Sequence, residues 1–375
     1  MDNMEIFFFL RIFILTITLI CGYLYSNNPS KKIYLIIPVI LISLNEGLRF
    51  GRGIDYNGYY FKYNDIVNGI DIRTNDLLFT LLCKFNDYIG LPYQGLIFLM
   101  SFILIVCGVF YLRNHIKVLS FALPLFFLFT IDAENLMRWF LAFSVLLVGI
   151  SYLERDNLTY YFICSVISFL FHSGIIVVVP IFLLLYYVKR PLIKPLPACI
   201  VYIVIYIFFK NSYMLNFVSY INIFSGMEQF SGYVDNAEGW LTGTANYVAR
   251  NLKIGTVIMD LILIYIGYRL IKYEPKFTYY YNICLIGTVL SPALYQIEIL
   301  YRVCLLFKLF QFLIIAYSIY HFIIKQNILS VYKILTCFLV LFLVKVYVVN
   351  ILFEPYTEKS YLYIWDSMGR HFLSI

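Results

Sequence analysis

Residues 94–112 read QGLIFLMSFILIVCGVFYL, a run without a single charged side chain. A helix rises about 1.5 Å per residue, so this run reaches about 28 Å, close to the roughly 30 Å hydrocarbon layer of a bilayer. Its apolar residues are continuous instead of alternating, which selects a helix over a barrel strand. The rest of the chain is of the same kind. Of 375 residues 62% are hydrophobic and 13% charged, against about 25% charged in an average soluble domain, and the mean hydropathy is +0.83. The sequence predicts an all-α integral membrane protein.

Working outward from that run, further apolar stretches lie at 5–25, 33–48, 118–131, 138–153, 158–171, 174–188, 196–209, 254–271, 278–299, 303–324 and 334–349. With 93–112 they predict a polytopic helical bundle of about twelve transmembrane helices, a single membrane domain over 1–375. The first stretch is expected as a retained helix: Arg11 interrupts it, and Ile20-Cys21-Gly22 puts a bulky residue where a signal cleavage site needs a small one. All cysteines except Cys83 fall within apolar stretches and none form a C-x-x-C pair. They are expected as small buried apolar residues, not a disulfide framework. Residues 76–90, DLLFTLLCKFNDYIG, predict an amphipathic helix along a membrane face, with Leu77, Leu78, Leu81, Leu82 and Phe85 on one side.

The connections divide into two sets. Short ones are dense in cations: Lys31-Lys32, Arg113 to Lys117, Arg155, Lys189-Arg190 with Lys194, Lys272 with Lys276, and Lys325 with Lys333. Long ones, at 49–92, 132–137, 210–253 and the tail from 350, hold most of the carboxylates. The positive-inside bias then places the short loops in the cytoplasm. Both termini face outward, as do the 49–92 loop with its amphipathic helix and the long 210–253 loop. The formal charge of +7 is absorbed by this asymmetry and implies no nucleic-acid partner.

The outward ends carry the unusual chemistry. RFGRGIDYNGYY, residues 49–60, supplies Arg49, Arg52 and Asp55; the head of the fifth span supplies Asp132, Glu134 and Arg138; His172 follows the sixth; Glu298 and Arg302 lie near the tenth and eleventh. An Arg or Asp at the centre of a membrane helix costs about 2.5–3.5 kcal/mol on insertion scales, so its retention marks a pathway or a site. Arginine also forks onto phosphate oxygens in a way lysine does not reproduce. Plainer explanations compete. Arg49 and Arg52 snorkelling to head groups is one, and an Arg302–Glu298 helical pair is another. His172 satisfied within a helix turn is a third. Tyr56, Tyr59, Tyr60 and Tyr63 suit an interfacial belt as well as a platform for sugar rings. Gly51 and Gly53 permit a tight turn. No H-E-x-x-H, G-x-x-x-x-G-K-[ST] or G-x-S-x-G motif occurs, so no metal and no cofactor are expected.

RFGRGIDYNGYY resembles the R-x-G-x-D-Y-x-x-Y signature after the second span of the EpsG family of bacterial exopolysaccharide polymerases, similar in role to Wzy-type O-antigen polymerases. AENLMRWFLAFSVLLVGISYL resembles the segment where that family has an Arg-Gln pair opening a helix, ISFLFHSGIIVVVPIFLL its F-H-x-S-A-hydrophobic-Pro segment, and YQIEILYRVCLLF its late Arg-bearing helix. The four follow in the family's order over about 250 residues. Two positions depart from it: Trp139 stands where the family has Gln, and Gly174 follows Ser173 where it has a second polar or small-alanine pattern.

The resemblance implies a membrane glycosyltransferase of O-antigen, capsule or exopolysaccharide synthesis, in the bacterial inner membrane with its site outward. The growing glycan would pass from undecaprenyl diphosphate to the next lipid-linked repeat. Its partners would be undecaprenyl-diphosphate-linked oligosaccharide and membrane lipid, with a flippase and a chain-length regulator beside it. Leaving-diphosphate charge needs stabilising and the acceptor hydroxyl needs a base or an orienting group. On this basis Arg52, Arg138 and Arg302 are assigned to the diphosphate with Arg49 in support. Asp55 and His172 compete for the base, and Tyr56, Tyr59 and Trp240 are candidate glycan contacts. A lipid-linked oligosaccharide flippase would also want a cationic cavity. The aromatic 210–253 loop favours the polymerase, as a lid over glycan.

Overall fold

The computed structural model describes residues 3–53, 55–70, 76–210, 252–295, 298–325, 330–352 and 363–364. Among them every extended element is helical, with one isolated antiparallel bridge between Arg49 and Tyr363. The 210–253 loop, Trp240 included, lies outside the described residues apart from its ends.

The chain forms two compact units, Met1–Tyr186 with Val340–Ile375, and Tyr187–Leu339. In the first, α1 is Asn3–Asn27, α2 Ile33–Gly47, α3 Tyr56–Val67, α4 Leu77–Tyr88, α5 Tyr93–Leu112, α6 Leu119–Phe129, α7 Met137–Leu153, α8 Leu158–Phe171 and α9 Val178–Tyr187. Short 3₁₀ turns occupy Arg113–Val118, Ile131–Glu134 and Ser173–Val177. In the second, α10 is Pro195–Lys210, α11 Ile254–Leu270, α12 Phe277–Leu294, α13 Glu298–Leu309 and α14 Gln311–Ser318, the last continuing as a π-helix over Ile319–Ile324. Helix α15, Val331–Leu352, belongs to the second unit up to Leu339 and to the first from Val340.

Three stretches are long and apolar enough to cross a membrane, Glu5–Asn27, Tyr93–Phe129 and Tyr301–Ile324. Apolar helices at Ile33–Gly47, Met137–Leu153, Leu158–Phe171, Ser173–Tyr187 and Pro195–Phe209 are shorter. The chain is therefore an all-helical membrane protein. Tyr93–Phe129 is not one straight rod. In a straight helix Gly108 and Phe126 would stand about 27 Å apart, yet a methyl on Gly108 would overlap the ring of Phe126. The turn is at His115, whose φ of −116° and ψ of 39° leave the helical region. Glycine at 108 lets the two arms of this hairpin touch.

Contacts at the helix ends fix the order of the first unit. At one end Gln94, opening α5, donates to the carbonyls of Gly47 (2.8 Å) and Arg49 beyond α2. Arg49 in turn donates to the carbonyl of Glu134 ahead of α7 at 3.2 Å. The backbone N–H of Ser173, just past α8, donates to Asp76 at 3.3 Å. At the other end Asn114 donates to Ser151 (3.0 Å) and Glu154 (2.9 Å), and Gly22 of α1 lies against Leu119 and Ser120. So α1, α2, α5, α6, α7 and α8 run alternately away from and back to one end. The arginine-bearing ends gather there, and the basic turns at 113–118 and 154–156 gather opposite.

One local expectation is corrected. Residues 56–67, read only as the end of a glycine-rich turn, form helix α3, because Tyr56, Tyr63 and Ile66 recur on one face and bury against α5 and α4. In α4 the face packed on protein is Phe79, Cys83 and Asn86, while Leu77, Leu81 and Phe85 stay exposed. Leu77, Leu81 and Phe85 thus face away from the protein, while Leu82 of the same expected stripe packs against its core.

Candidate functional site

The turn after α2 is built by its glycines. Gly51 and Gly53 have φ of 63° and 101°, where a side chain is strained. A Cβ on Gly53 would stand 2.9 Å from the carbonyl oxygen of Glu134. Only glycine therefore lets this turn lie against the Ile131–Glu134 turn and bring Arg49 and Arg52 to Glu134.

Three guanidiniums surround two carboxylates there. Arg11 Nη2 lies 3.1 Å from Glu46 Oε1 and 2.6 Å from Glu134 Oε1. From the other side Arg52 Nη2 lies 3.2 Å from Glu46 Oε2, and its Nε 3.2 Å from Glu134 Oε2. Arg49 Nη1 stands farther off, 3.8 Å and 3.9 Å from the same two oxygens. Arg11 and Arg52 are 2% and 3% exposed. Burial works against the charge on Arg52, and Glu134 and Glu46 more than offset it, holding its guanidinium above the ordinary range. Aromatic rings complete the casing: Phe7 lies 4.9 Å from the Arg11 guanidinium and 5.1 Å from that of Arg52, and Tyr363 lies 5.6 Å from Arg52. Tyr363 also donates to Asn45 at 3.0 Å. Beside the cluster lies a small cleft of about 40 Å³, lined by Arg11, Glu46, Arg49 and Glu134, by Ser101 and Thr130, and by apolar residues including Ile42, Leu104, Ile105 and Phe127.

A second group adjoins it at the head of α7. Arg138 Nη1 donates to Asp76 Oδ2 at 2.5 Å, with the guanidinium 5.7 Å from the ring of Tyr59 and 5.4 Å from Phe79. Asp76 also accepts from Ser173 N–H, so it ties α4 to the break after α8. His172 Nδ1 accepts from the Gly174 N–H at 3.1 Å and caps that break, which realises the helix-turn explanation for this histidine. Its ring meets Trp139 edge-on at 5.2 Å. A Cβ on Gly174 would fall 2.9 Å from Trp139 Cζ3, so the indole at 139 occupies the space that a methyl at 174 would take.

Asp55 is half-buried at the N-cap position of α3. Tyr56 is 2% exposed, donates to Gln94 at 2.9 Å and packs between Phe50 and Tyr93. Burial pushes its hydroxyl up to about 12. Tyr56 therefore serves as core, and Tyr59 alone of the two keeps partial exposure. Arg302 sits on α13 in the second unit. That unit has a polar cluster the sequence did not suggest. Asp260, 0% exposed, pairs with Lys308 at 2.9 Å and accepts from Tyr202 (3.0 Å) and Gln311 (3.1 Å). Sequence reasoning also missed the roles of Arg11, Glu46 and Asp76. The signal was there for the first two, as charges in or at the end of apolar helices.

Apolar helices around a buried cluster of three arginines and two glutamates define the class: a helical membrane protein. The chain belongs to the EpsG family, whose model matches residues 32–358. Membership points to a polysaccharide-polymerase type of function. No curated protein and no solved structure matches the chain.

Proposed function

We propose that this protein joins undecaprenyl-diphosphate-linked repeat units at the outer face of the bacterial inner membrane, as a multi-pass glycosyltransferase. One observation carries the proposal: among the described residues Arg11, Arg49 and Arg52 surround two carboxylates, a positive excess, and Arg11 and Arg49 line a cleft whose other walls are mostly apolar. A lipid-linked diphosphate presents the complementary pair, an anion and an isoprenoid chain. In the reaction the bond from the anomeric carbon to the diphosphate oxygen breaks as the acceptor hydroxyl attacks. The arginines stabilise the charge left on the diphosphate. Asp55, half-buried at the end of the same turn, takes or orients the hydroxyl proton. His172 spends Nδ1 on its own backbone, which favours Asp55 for that role.

The test is transfer by purified full-length protein in nanodiscs supplied with a lipid-linked repeat. Longer glycan lipids support the reading; movement of substrate between leaflets without elongation overturns it in favour of a flippase. Arg52→Ala should lower turnover by about a hundredfold to a thousandfold. Arg52→Lys should recover part of it, since an ammonium restores the charge without the fork. Asp55→Asn should abolish elongation and leave insertion intact. Arg302→Ala asks separately whether the second unit takes part.

A further inference from the structure

The family match begins at residue 32 and ends at 358, so Arg11 on α1 lies outside it. The geometry nevertheless makes Arg11 half of a symmetric clamp. Its Nη2 bridges the Oε1 atoms of Glu46 and Glu134, while Arg52 bridges their Oε2 atoms. We infer that Arg11, which lines the cleft together with Arg49, belongs to the anion site: it shares the carboxylate pair with Arg52 and so leaves the three guanidiniums a net positive charge to offer.

The charge count supports this. Among the described residues, three cations face two anions when Arg11 is present. Without it, two face two, and Arg52 and Arg49 are consumed in holding Glu46 and Glu134. No solvent makes up the difference, because Arg11 is 2% exposed and its guanidinium lies 4.9 Å from the Phe7 ring and 5.3 Å from that of Phe127. An unpaired carboxylate in such surroundings repels its neighbour strongly, since the low dielectric leaves like charges unscreened. The alternative role, an anchor for α1 alone, predicts that fold and binding fail together and that charge has no part.

The inference rests on the proposed function in taking the anion to be a prenyl diphosphate, and the experiment separates the two. Full-length protein in nanodiscs is titrated with farnesyl diphosphate, with farnesol as the uncharged control. Arg11→Gln should weaken farnesyl diphosphate binding by about tenfold or more, the scale of one charge-assisted contact, and leave farnesol unchanged. Arg11→Gln combined with Glu46→Gln restores the positive excess and should return binding to within about threefold of wild type. Arg11→Lys should do the same. Wild-type affinity in Arg11→Gln, or a double variant as weak as the single one, overturns the inference. If Arg52→Ala weakens binding while Arg11→Gln does not, the inference fails alone. If neither does, or wild type shows no preference for the diphosphate, the reading of the cleft fails and the inference with it.

Discussion

Gly174→Ala is expected to be tolerated only if Trp139 is also changed. The added Cβ would stand 2.9 Å from Trp139 Cζ3 and 3.3 Å from His172 Cε1 and Nδ1. Carbon atoms rest about 3.5–4.0 Å apart, so the indole must retreat by about 0.6–1.1 Å. It is buried and edge-on to His172, and has little room to do so. Overpacking of this kind costs about 1–3 kcal/mol. For a unit of this size, that lowers the melting temperature by about 2–12 °C. Trp139→Gln loses packing by itself but makes the space. The cycle should therefore show a favourable coupling of about 1–3 kcal/mol between the two changes. All eight cysteines are free and most are buried, so a thiol-reactive fluorophore reports unfolding of the detergent-solubilised protein directly. An equal penalty for Gly174→Ala with and without Trp139 would refute the argument.

Other expectations follow from single contacts. Gly53→Ala should cost about 1–3 kcal/mol from backbone strain at φ 101° alone, and should reduce polymer length because the 49–53 turn can no longer seat against Glu134. Asp76→Asn keeps the side-chain shape but loses the charge that holds Arg138 and Ser173; a loss of about 1–3 kcal/mol is expected in thermal unfolding, with a larger fall in turnover than in stability. Asp260→Asn leaves Lys308 buried without its counter-ion and should destabilise by about 3–5 kcal/mol, while adding Lys308→Met should restore the protein to near wild type. A single cysteine at the exposed position Asn57, in an otherwise cysteine-free protein, should react with an impermeant maleimide in cells with a permeabilised outer membrane. Labelling only after the inner membrane is broken would invert the proposed topology.

What was legible in the sequence follows from the range of the interactions involved. Apolar runs and basic turns are local features, so helices and the separation of the 113–118 and 154–156 turns from the arginine-bearing ends could be read directly. The pairing of charges could not. Arg11 finds Glu46 across 35 residues and Glu134 across 123, and no periodicity encodes such a partner. The arginines at these helix ends were recognisable by type, because each carries a desolvation cost that something must offset. What offsets it was not: two glutamates that sequence reasoning noted as outward acids or passed over turn out to sit between the arginines. Tyr56 failed for a related reason. A tyrosine beside an arginine-rich turn suits a sugar platform and a buried wall equally, and only the arrival of Phe50 and Tyr93 on its ring decides. Even Trp139 and Gly174 look independent until the fold shows them contending for one space. The same logic explains why Arg11 stood out first as a blemish in an apolar helix. A charge placed where it costs most is informative about function only once its partners are known, and here they are the same two carboxylates that hold Arg52.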